Sequence, residues 1–277
     1  MLGVELHQTE ALEVELLLAG VARRYGYDMR GYSRASLMRR VRNAVRQEGL
    51  ATVSALQEKV LHEPPAMVRF IERVAVHTTA MFRDAEVFRA LREEIVPLLR
   101  TYPFVRIWHA GCSSGEEVYS LAILLEAEGL YDRCRLYATD LSDQVIERAR
   151  AGVLSLRHLR DHTVAYQRAG GRADFSGYYQ TDSQNAVLRQ ALRRNLIFSQ
   201  HNLVCDGVFN EFHLILCRNV MIYFDRGLRD RVHGLLFGSL SPFGILSIGL
   251  RESLLGTPFE DRYEGLDHDL RLYRKVR

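Results

Sequence analysis

The segment from Val105 to Leu125 constrains the fold most, because its hydrophobic period changes halfway along. Val105–Ala110 is a mostly apolar run typical of a buried strand, and Val118–Leu125 has apolar residues at helical spacing. A short turn of small residues, bounded by Gly111 and Gly115, joins the two. This order is typical of the opening βα unit of a nucleotide-binding domain, in which backbone approaches the ligand closely. We therefore predict an α/β fold with a doubly wound sheet.

The turn and the helix start also limit the ligand. The turn is too short for a phosphate-gripping loop, which would need Gly-x4-Gly-Lys-Ser/Thr. Glu116 and Glu117 open the helix, where carboxylates suit the helix dipole but repel a phosphate. A cationic ligand fits this site better.

Two later strands also end in polar residues. Asp140 closes the strand that begins at Arg135, at the position where such folds carry an acceptor for ribose hydroxyls. Another buried strand runs directly into Arg218 and Asn219. Since ligands bind at the carboxyl ends of the strands in these sheets, we expect three strand ends to face one crevice.

Composition sets wider bounds. The 277 residues, 47% of them hydrophobic, can fill one large or two modest domains. The N-terminus is acidic and no 18-residue apolar run occurs, so we expect a cytoplasmic protein without membrane insertion. A net charge of +3 gives no reason to expect nucleic acid as a partner. The cysteines lack Cys-x-x-Cys spacing, which favours buried, reduced thiols over a zinc site or disulfides: Cys112, Cys134, Cys205 and Cys217.

The N-terminal third is predicted to be helical. A first helix spans residues 9–25, with Thr9 as its N-cap and Gly26 after its end. Its inward face is predicted to contain Leu12, Leu16, Ala19 and Val21. Further helices are predicted over residues 34–46, 52–62, 64–76 and 86–99.

The helix over residues 34–46 is strongly basic. Its apolar residues follow helical spacing and should face inward: Leu37, Val41, Ala44 and Val45. Arg39, Arg42 and Arg46 share another face, with no acidic residue between them. This face is either a solvated helix surface or a docking face for an acidic partner.

The pattern is irregular between Gly152 and Gln190, where we predict loops and a short β hairpin around Tyr178–Leu188, inserted into the doubly wound domain. Strands follow over residues 196–200 and 243–248, and a helix lies around Arg229–Leu236. The alternation over residues 270–276 is typical of an edge strand.

Several of these segments together resemble the CheR family of chemoreceptor glutamate methyltransferases: Thr79–Asp84, Gly115–Ser120, Ala138–Ser142 and Cys217–Phe224. The last is the most specific, and the resemblance runs in order through most of the chain. It implies an S-adenosylmethionine-dependent enzyme that forms glutamate methyl esters on chemoreceptor helices. The implied architecture is a Rossmann-like methyltransferase domain over 104–277 with a β subdomain inserted at about 165–194, preceded by a helical docking domain over 1–84 and a linker helix over 85–103.

The resemblance also implies roles for individual residues. The cofactor is assigned to His77, Thr79, Arg83, Gly111, Glu116, Asp140, Asn202, Leu203, Arg218 and Asn219. Glu116 is favoured over Glu117 for the methionine moiety of the cofactor, and Glu117 then only caps the helix. Arg83 and Tyr223 are assigned to the orientation of the substrate carboxylate. From the residues alone, Arg83 could equally form a salt bridge with Asp84 or Glu86, and Tyr223 could be a core aromatic residue.

The implied partner is the cytoplasmic helical bundle of a chemoreceptor, docked on Arg39, Arg42 and Arg46. The β subdomain either binds a receptor C-terminal peptide or is a plain insertion or lid. Two other functions remain open: a catalytically idle S-adenosylmethionine-binding module, and a methyltransferase with another substrate. Enzymes that methylate nucleobase amines usually carry Asn/Asp-Pro-Pro-aromatic after the fourth strand, and this chain has Arg218–Phe224 there. The receptor, its glutamates and the oligomeric state are not set by the sequence.

Overall fold

The structure, a computed structural model, describes residues 2–74, 79–182 and 184–276. The chain divides into two compact units. The first, here called the helical unit, consists of Met1–His77, Val204–Asp206 and Tyr223–Val232. The second, here called the sheet unit, consists of Thr78–Leu203, Gly207–Ile222 and His233–Arg277.

Four helices build most of the helical unit: α1 (Leu2–Tyr25), α2 (Arg34–Gln47), α3 (Val53–His62) and α4 (Pro64–Val74). The Thr52 side chain caps α3 by accepting the Ala55 N–H at 3.1 Å. The predicted inward face of α2 is confirmed, since Leu37, Val41, Ala44 and Val45 are all buried.

The prediction for α1 was wrong in two respects. The helix begins at Leu2, so Thr9 lies inside it and is no N-cap. Of the predicted inward face Val21 is buried, but Leu12 and Leu16 are 55% and 52% exposed. The buried face consists of Val14, Leu17, Leu18 and Val21. The apolar run over residues 16–18 covers most of a helical turn. Periodicity alone therefore fits both faces, and tertiary packing decides between them.

The segment after Ile222 pairs with the connection between α1 and α2. Ser33 N–H donates to the Tyr223 carbonyl at 2.6 Å, and Asp225 N–H donates to the Gly31 carbonyl at 2.7 Å. The rings of Tyr32 and Phe224 meet edge to face at 4.9 Å. These contacts make Tyr223 part of the helical unit.

The sheet unit begins with one long helix in three parts: α5 (Ala85–Ala90), a π-helical turn (Leu91–Ile95) and α6 (Val96–Leu99). Pro97 lacks the N–H that would bond to residue 93 in an α-helix, and the Val96 N–H bonds to the Leu91 carbonyl, five residues back. The predicted helix over 86–99 is confirmed with this local widening.

The remaining elements follow in chain order: β1 (Val105–Ala110), α7 (Glu116–Ala127), β2 (Cys134–Asp140), α8 (Asp143–Ala151), β3 (Val153–Ser155), α9 (Leu159–Arg168), β4 (Tyr179–Thr181), β5 (Asn185–Leu188), β6 (Leu196–Gln200), β7 (Phe212–Cys217), α10 (Arg226–Ser239), β8 (Leu240–Ile248), β9 (Tyr263–Asp267) and β10 (Leu272–Lys275). Short 3₁₀ turns lie between several of them.

The main sheet has seven strands in the order β6-β2-β1-β7-β8-β10-β9. The first five are parallel, and β10 and β9 are antiparallel to their neighbours. The chain proceeds outward from β1 through β2 to β6 and then crosses back to β7 on the other side of β1. This reversal is the topological switch point of a doubly wound sheet, so the predicted fold class is confirmed. The carboxyl ends of β1, β2 and β7 meet there.

The last strand is not the edge strand that the alternation predicted. β10 lies between β8 and β9, and β9, which we did not predict, is the edge. Arg274 of β10 bonds to Glu264 of β9 at 2.5 Å, so its charge is satisfied across a strand pair.

A second sheet with the order β3-β5-β4 lies in the inserted segment. The β4–β5 hairpin was predicted, whereas β3 and α9 were not. Only His162 and Tyr166 of α9 are buried, and two positions are too narrow an apolar stripe to indicate a helix.

Cys112, Cys134 and Cys217 are buried free thiols as expected. Cys205 is exposed, against the expectation, because it lies in the loop between β6 and β7 and not in a strand. Among the described residues we find neither a side-chain cluster able to hold a metal ion nor a helix long and apolar enough to cross a bilayer.

Candidate active site

The turn after β1 supplies backbone at the switch point. Gly111 and Gly115 have φ angles of +79° and +93°, which favour glycine. A Cβ at Gly111 would lie 2.5 Å from Cγ2 of Val220, in the loop after β7. The two strand ends therefore pack directly on each other, and only a residue without a side chain fits at position 111.

Asp140 connects the end of β2 to that turn. Its Oδ2 accepts the Ser113 N–H at 2.9 Å, and its Oδ1 accepts the N–H groups of Leu141 and Ser142 at 2.8 and 3.4 Å. A carboxylate has about four lone-pair sites, so these three bonds leave capacity for a further donor. The half-buried Asp140 can therefore accept a ligand hydroxyl from a fixed position.

The two glutamates that open α7 have different surroundings. The half-buried Glu116 accepts a hydrogen bond from Ser114 Oγ at 2.7 Å. Glu117 is largely buried, pairs with Arg218 Nη1 at 2.6 Å and lies 3.7 Å from His109 Nδ1. Burial raises the pKa of the Glu117 carboxyl, but the Arg218 charge and the contacts with His109 and Arg218 outweigh burial and lower that pKa overall. We had predicted that Glu117 only caps the helix, but its carboxylate also pairs with the buried Arg218 guanidinium.

Arg218, directly after β7, has a fully buried side chain. Its Nη2 bonds to Asp84 Oδ2 at 2.7 Å, and its Nη1 bonds to Glu117 and to the Arg83 carbonyl at 2.6 and 3.3 Å. The guanidinium therefore connects the Arg83–Asp84 segment to the start of α7. A direct contact between Arg218 and the cofactor stays a prediction.

The loop after β7 is held by Glu252, a residue that the sequence did not single out. The Glu252 carboxylate accepts the N–H groups of Gly249, Asn219 and Ile222 at 2.5, 3.1 and 3.2 Å. Burial raises the pKa of Glu252, and these backbone bonds only partly offset that effect. Asn219 has φ +62°, so Glu252 stabilises a turn that presents Asn219 at the switch point.

The residues after β6 lie beside Asp140. The His201 N–H donates to the Asp140 carbonyl at 3.0 Å, which aligns the end of β6 with the end of β2. Leu203 is buried and Asn202 is half-buried. Both lie just after the end of β6, and their contact with the adenine of the cofactor stays a prediction.

The segment before α5 contains Thr79 and Arg83, both half-buried. Of the two salt-bridge partners considered for Arg83, Asp84 pairs with Arg218. Arg83 lines a cavity of about 420 Å³ together with residues of α9. His77 lies outside the described residues, so its predicted role has no structural description.

Tyr223 belongs to the helical unit. The Arg40 guanidinium lies over its ring at 4.6 Å and also donates to the Val74 carbonyl. Burial lowers the pKa of Arg40, although interactions with Tyr223 oppose this effect. The predicted role of Tyr223 in orienting a substrate stays a prediction.

The basic face of α2 is exposed, as predicted. Arg39, Arg42 and Arg46 line a groove of about 780 Å³ together with Glu10 and Glu13 of α1. Arg42 makes two hydrogen bonds of 2.6 Å to Glu10. The face therefore contains an acidic neighbour that the α2 sequence alone did not indicate.

Comparison with known proteins gives matches to two family descriptions. Residues 77–267 match "CheR methyltransferase, SAM binding domain", and residues 12–75 match "CheR methyltransferase, all-alpha domain". A Pseudomonas putida protein, Cher3, whose name assigns it provisionally to the methyltransferases, is 45% identical over 264 residues, or 95% of this chain and 97% of its own length.

More distant relatives are named as methyltransferases too. The chemotaxis protein methyltransferase of Salmonella typhimurium is 32% identical, covering 66% of this chain and 63% of its own. That of Listeria innocua is 27% identical, covering 85% and 87%. The fold and the strand-end site are those of an S-adenosylmethionine-dependent methyltransferase. The chain belongs to the CheR methyltransferase family.

The residues at the switch point fit S-adenosylmethionine. Asp140 keeps acceptor capacity for ribose hydroxyls, and Gly111 lets the turn backbone pack at the site. The acidic start of α7 favours a ligand with a cationic amino group and a sulfonium over a phosphate.

Proposed function

We propose that the chain transfers the methyl group of S-adenosylmethionine to glutamate side chains of chemoreceptors, forming methyl esters in chemosensory adaptation in the cytoplasm. The observation that carries the choice of substrate is the exposed basic face of α2 in a chain of the CheR family. Arg39, Arg42 and Arg46 offer fixed positive charge to a glutamate-rich helical bundle.

The reaction needs little acid–base catalysis from the protein. A glutamate side chain is already an anion at neutral pH, so no general base is needed. When bound, S-adenosylmethionine supplies an electrophilic methyl group on a sulfonium. The positive charge of the donor and the negative charge of the acceptor cancel during transfer. The protein therefore accelerates the reaction most by excluding water and by aligning the acceptor oxygen with the methyl group. We assign that alignment to Arg83 and Tyr223.

The cofactor-binding residues follow from the strand ends. Asp140 accepts the ribose hydroxyls, and Asn202 and Leu203 flank the adenine. Glu116 binds the amino group of the methionine moiety, because Glu117 is already bound to Arg218. The turn at Gly111, the segment containing His77, Thr79 and Arg83, and the backbone of Arg218–Asn219 complete the site.

The domains divide the task in this proposal. Residues 1–84 contain the receptor-docking face and, at their end, the segment with His77, Thr79 and Arg83. Residues 85–103 form the linker helix, and residues 104–277 supply the other cofactor-binding residues. The β4–β5 hairpin belongs to the inserted subdomain, for which a receptor C-terminal peptide is a second possible ligand.

Methyl transfer from radiolabelled S-adenosylmethionine to a purified chemoreceptor cytoplasmic fragment tests the proposal. We expect incorporated label that mild base releases as methanol, because carboxyl methyl esters hydrolyse in base and methylamines do not. Receptor fragments with the accepting glutamates replaced by alanine are the control and should take up no label. A base-stable product would identify another substrate class, and no transfer to any receptor would leave a cofactor-binding module without activity.

A further inference from the structure

Arg83 lies between two residues with unusual backbone conformations. Phe82 and Asp84 have φ angles of +52° and +56°, and neither is glycine. The left-handed region is disfavoured for residues with a bulky side chain, and such conformations persist only where surrounding contacts hold them. Two of them on either side of one residue indicate that the direction of that residue is fixed at an energetic cost.

On the N-terminal side of Arg83, contacts hold Phe82 in place. Its ring is buried and packs edge to face against Phe88 and Tyr166, both at 5.3 Å. Its backbone N–H donates to Ser120 Oγ of α7 at 2.8 Å. Both the ring and the backbone of Phe82 are therefore anchored within the sheet unit.

On the C-terminal side of Arg83, the contacts of Asp84 depend on Arg218. Its guanidinium bonds to the Asp84 carboxylate at 2.7 Å and to the Arg83 carbonyl at 3.3 Å. Glu117 holds the same guanidinium at 2.6 Å. A fully buried arginine with two carboxylates has little freedom to move, since losing either partner would leave a buried charge poorly compensated.

We propose that Asp84 and Arg218 are positioning residues that fix the backbone of Arg83, and with it the direction in which the Arg83 guanidinium leaves the chain. This inference rests on the proposed function, in which Arg83 orients the substrate carboxylate. It also gives the Arg218 side chain a task other than binding the cofactor. In this proposal the end of β7 serves both parts of the site. It carries the loop assigned to the cofactor, and its Arg218 side chain fixes the direction of Arg83.

Asp84→Asn tests the proposal, because asparagine keeps the shape and tolerates a positive φ but loses the charge. Glu94→Gln is the matched control, since it removes one negative charge from an exposed position of the helix that follows. We expect kcat for receptor methylation to fall by about 100-fold in Asp84→Asn, with affinity for S-adenosylhomocysteine unchanged. Glu94→Gln should behave as the wild type.

Amide hydrogen exchange over residues 82–84 of the apoprotein gives a readout independent of activity. We expect faster exchange there in Asp84→Asn and not in Glu94→Gln. Wild-type kcat with unchanged exchange would overturn the proposal, and so would a parallel loss of S-adenosylhomocysteine affinity, which would place the carboxylate in the cofactor site. If the wild type methylates no receptor, the proposed function fails and exchange alone decides whether Asp84 positions Arg83.

Discussion

Asp140 serves two purposes with one carboxylate. It binds three backbone N–H groups that shape the turn after β1 and the start of α8, and it retains capacity for a ligand hydroxyl. The residue type at this strand end was predictable from sequence, because ribose recognition needs a carboxylate there. Its structural role was not, since the bond to the Ser113 N–H joins two different strand ends.

We predict that Asp140→Asn weakens S-adenosylhomocysteine binding by about 10- to 100-fold, the range expected for lost hydrogen bonds to a charged group. Isothermal titration calorimetry measures the affinity, and a thermal melt reports any loss of stability from the three backbone bonds. Asp143→Asn, an exposed position at the start of α8, is the control and should bind normally. An unchanged affinity in Asp140→Asn would exclude the ribose role.

At the scale of elements, Glu48 joins three helices of the helical unit. It lies at the C-terminus of α2, has a side chain only 6% exposed, and pairs with Lys59 of α3 and Arg69 of α4, each at 2.9 Å, and with Arg73. Hydrogen bonds from Arg69, Lys59 and Arg73 lower the pKa of Glu48 far below its usual range. One carboxylate thus holds α3 and α4 against the end of α2.

We predict that Glu48→Gln lowers the free energy of unfolding by about 2–3 kcal/mol near neutral pH, the range for hydrogen bonds to a charged group. Because the folded-state pKa is lowered, the stabilisation by Glu48 is present above the ordinary pKa of 4.5 and declines as the pH falls through the interval below it. The gap between wild type and Glu48→Gln, measured by urea denaturation, should therefore narrow at about pH 3.

Glu58→Gln, at an exposed position of α3, is the control for the loss of a carboxylate and should leave the curves unchanged. A gap for Glu48→Gln that stays constant with pH would contradict the ion-pair account.

The buried face of α1 gives a second prediction at this scale. Leu17→Ala should destabilise the chain by about 2–5 kcal/mol, because it leaves a cavity in the core of the helical unit. Leu12→Ala removes the same atoms from a 55% exposed site and should change stability by less than about 0.5 kcal/mol. Thermal or chemical denaturation compares the pair, and a larger loss of stability in Leu12→Ala than in Leu17→Ala would mean that α1 uses the face first predicted.

The elements differ in how far the sequence predicts them, for a physical reason. Local signals of period and conformation identify β1, the glycine turn and α7. Asp140 and Asn219 lie at the ends of strands that can also be recognised locally. The buried face of α1, the central place of β10 and the contacts of Glu252 and Asp84 depend on residues distant in sequence. Gly249 shows this, since a Cβ there would lie 2.7 Å from the Asn219 nitrogen, a distance that no local pattern encodes.

At the scale of the whole molecule, the sheet unit holds the proposed cofactor site and the helical unit carries the proposed docking face. Exposed ion pairs contribute little to stability, so the bond between Arg42 and Glu10 can be exchanged for bonds to an acidic partner at small cost. Arg39 and Arg46 lie on the same groove. The strength of docking should therefore follow charge and salt concentration.

We predict that combined Arg39→Glu and Arg46→Glu substitutions reduce affinity for a chemoreceptor cytoplasmic fragment by at least about 10-fold at low salt, while S-adenosylhomocysteine affinity is unchanged. The reduction should shrink as salt screens the charges. Arg23→Glu, at an exposed position near the end of α1, is the control. Loss of both affinities would mean that the arginines support the fold instead of docking.

A crystal structure of the complex with S-adenosylhomocysteine tests the central claim most directly. We predict the nucleoside at the carboxyl ends of β1, β2 and β7, with its ribose hydroxyls within hydrogen-bonding distance of the Asp140 carboxylate. A ligand bound elsewhere on the chain, or ribose hydroxyls turned away from Asp140, would contradict the account.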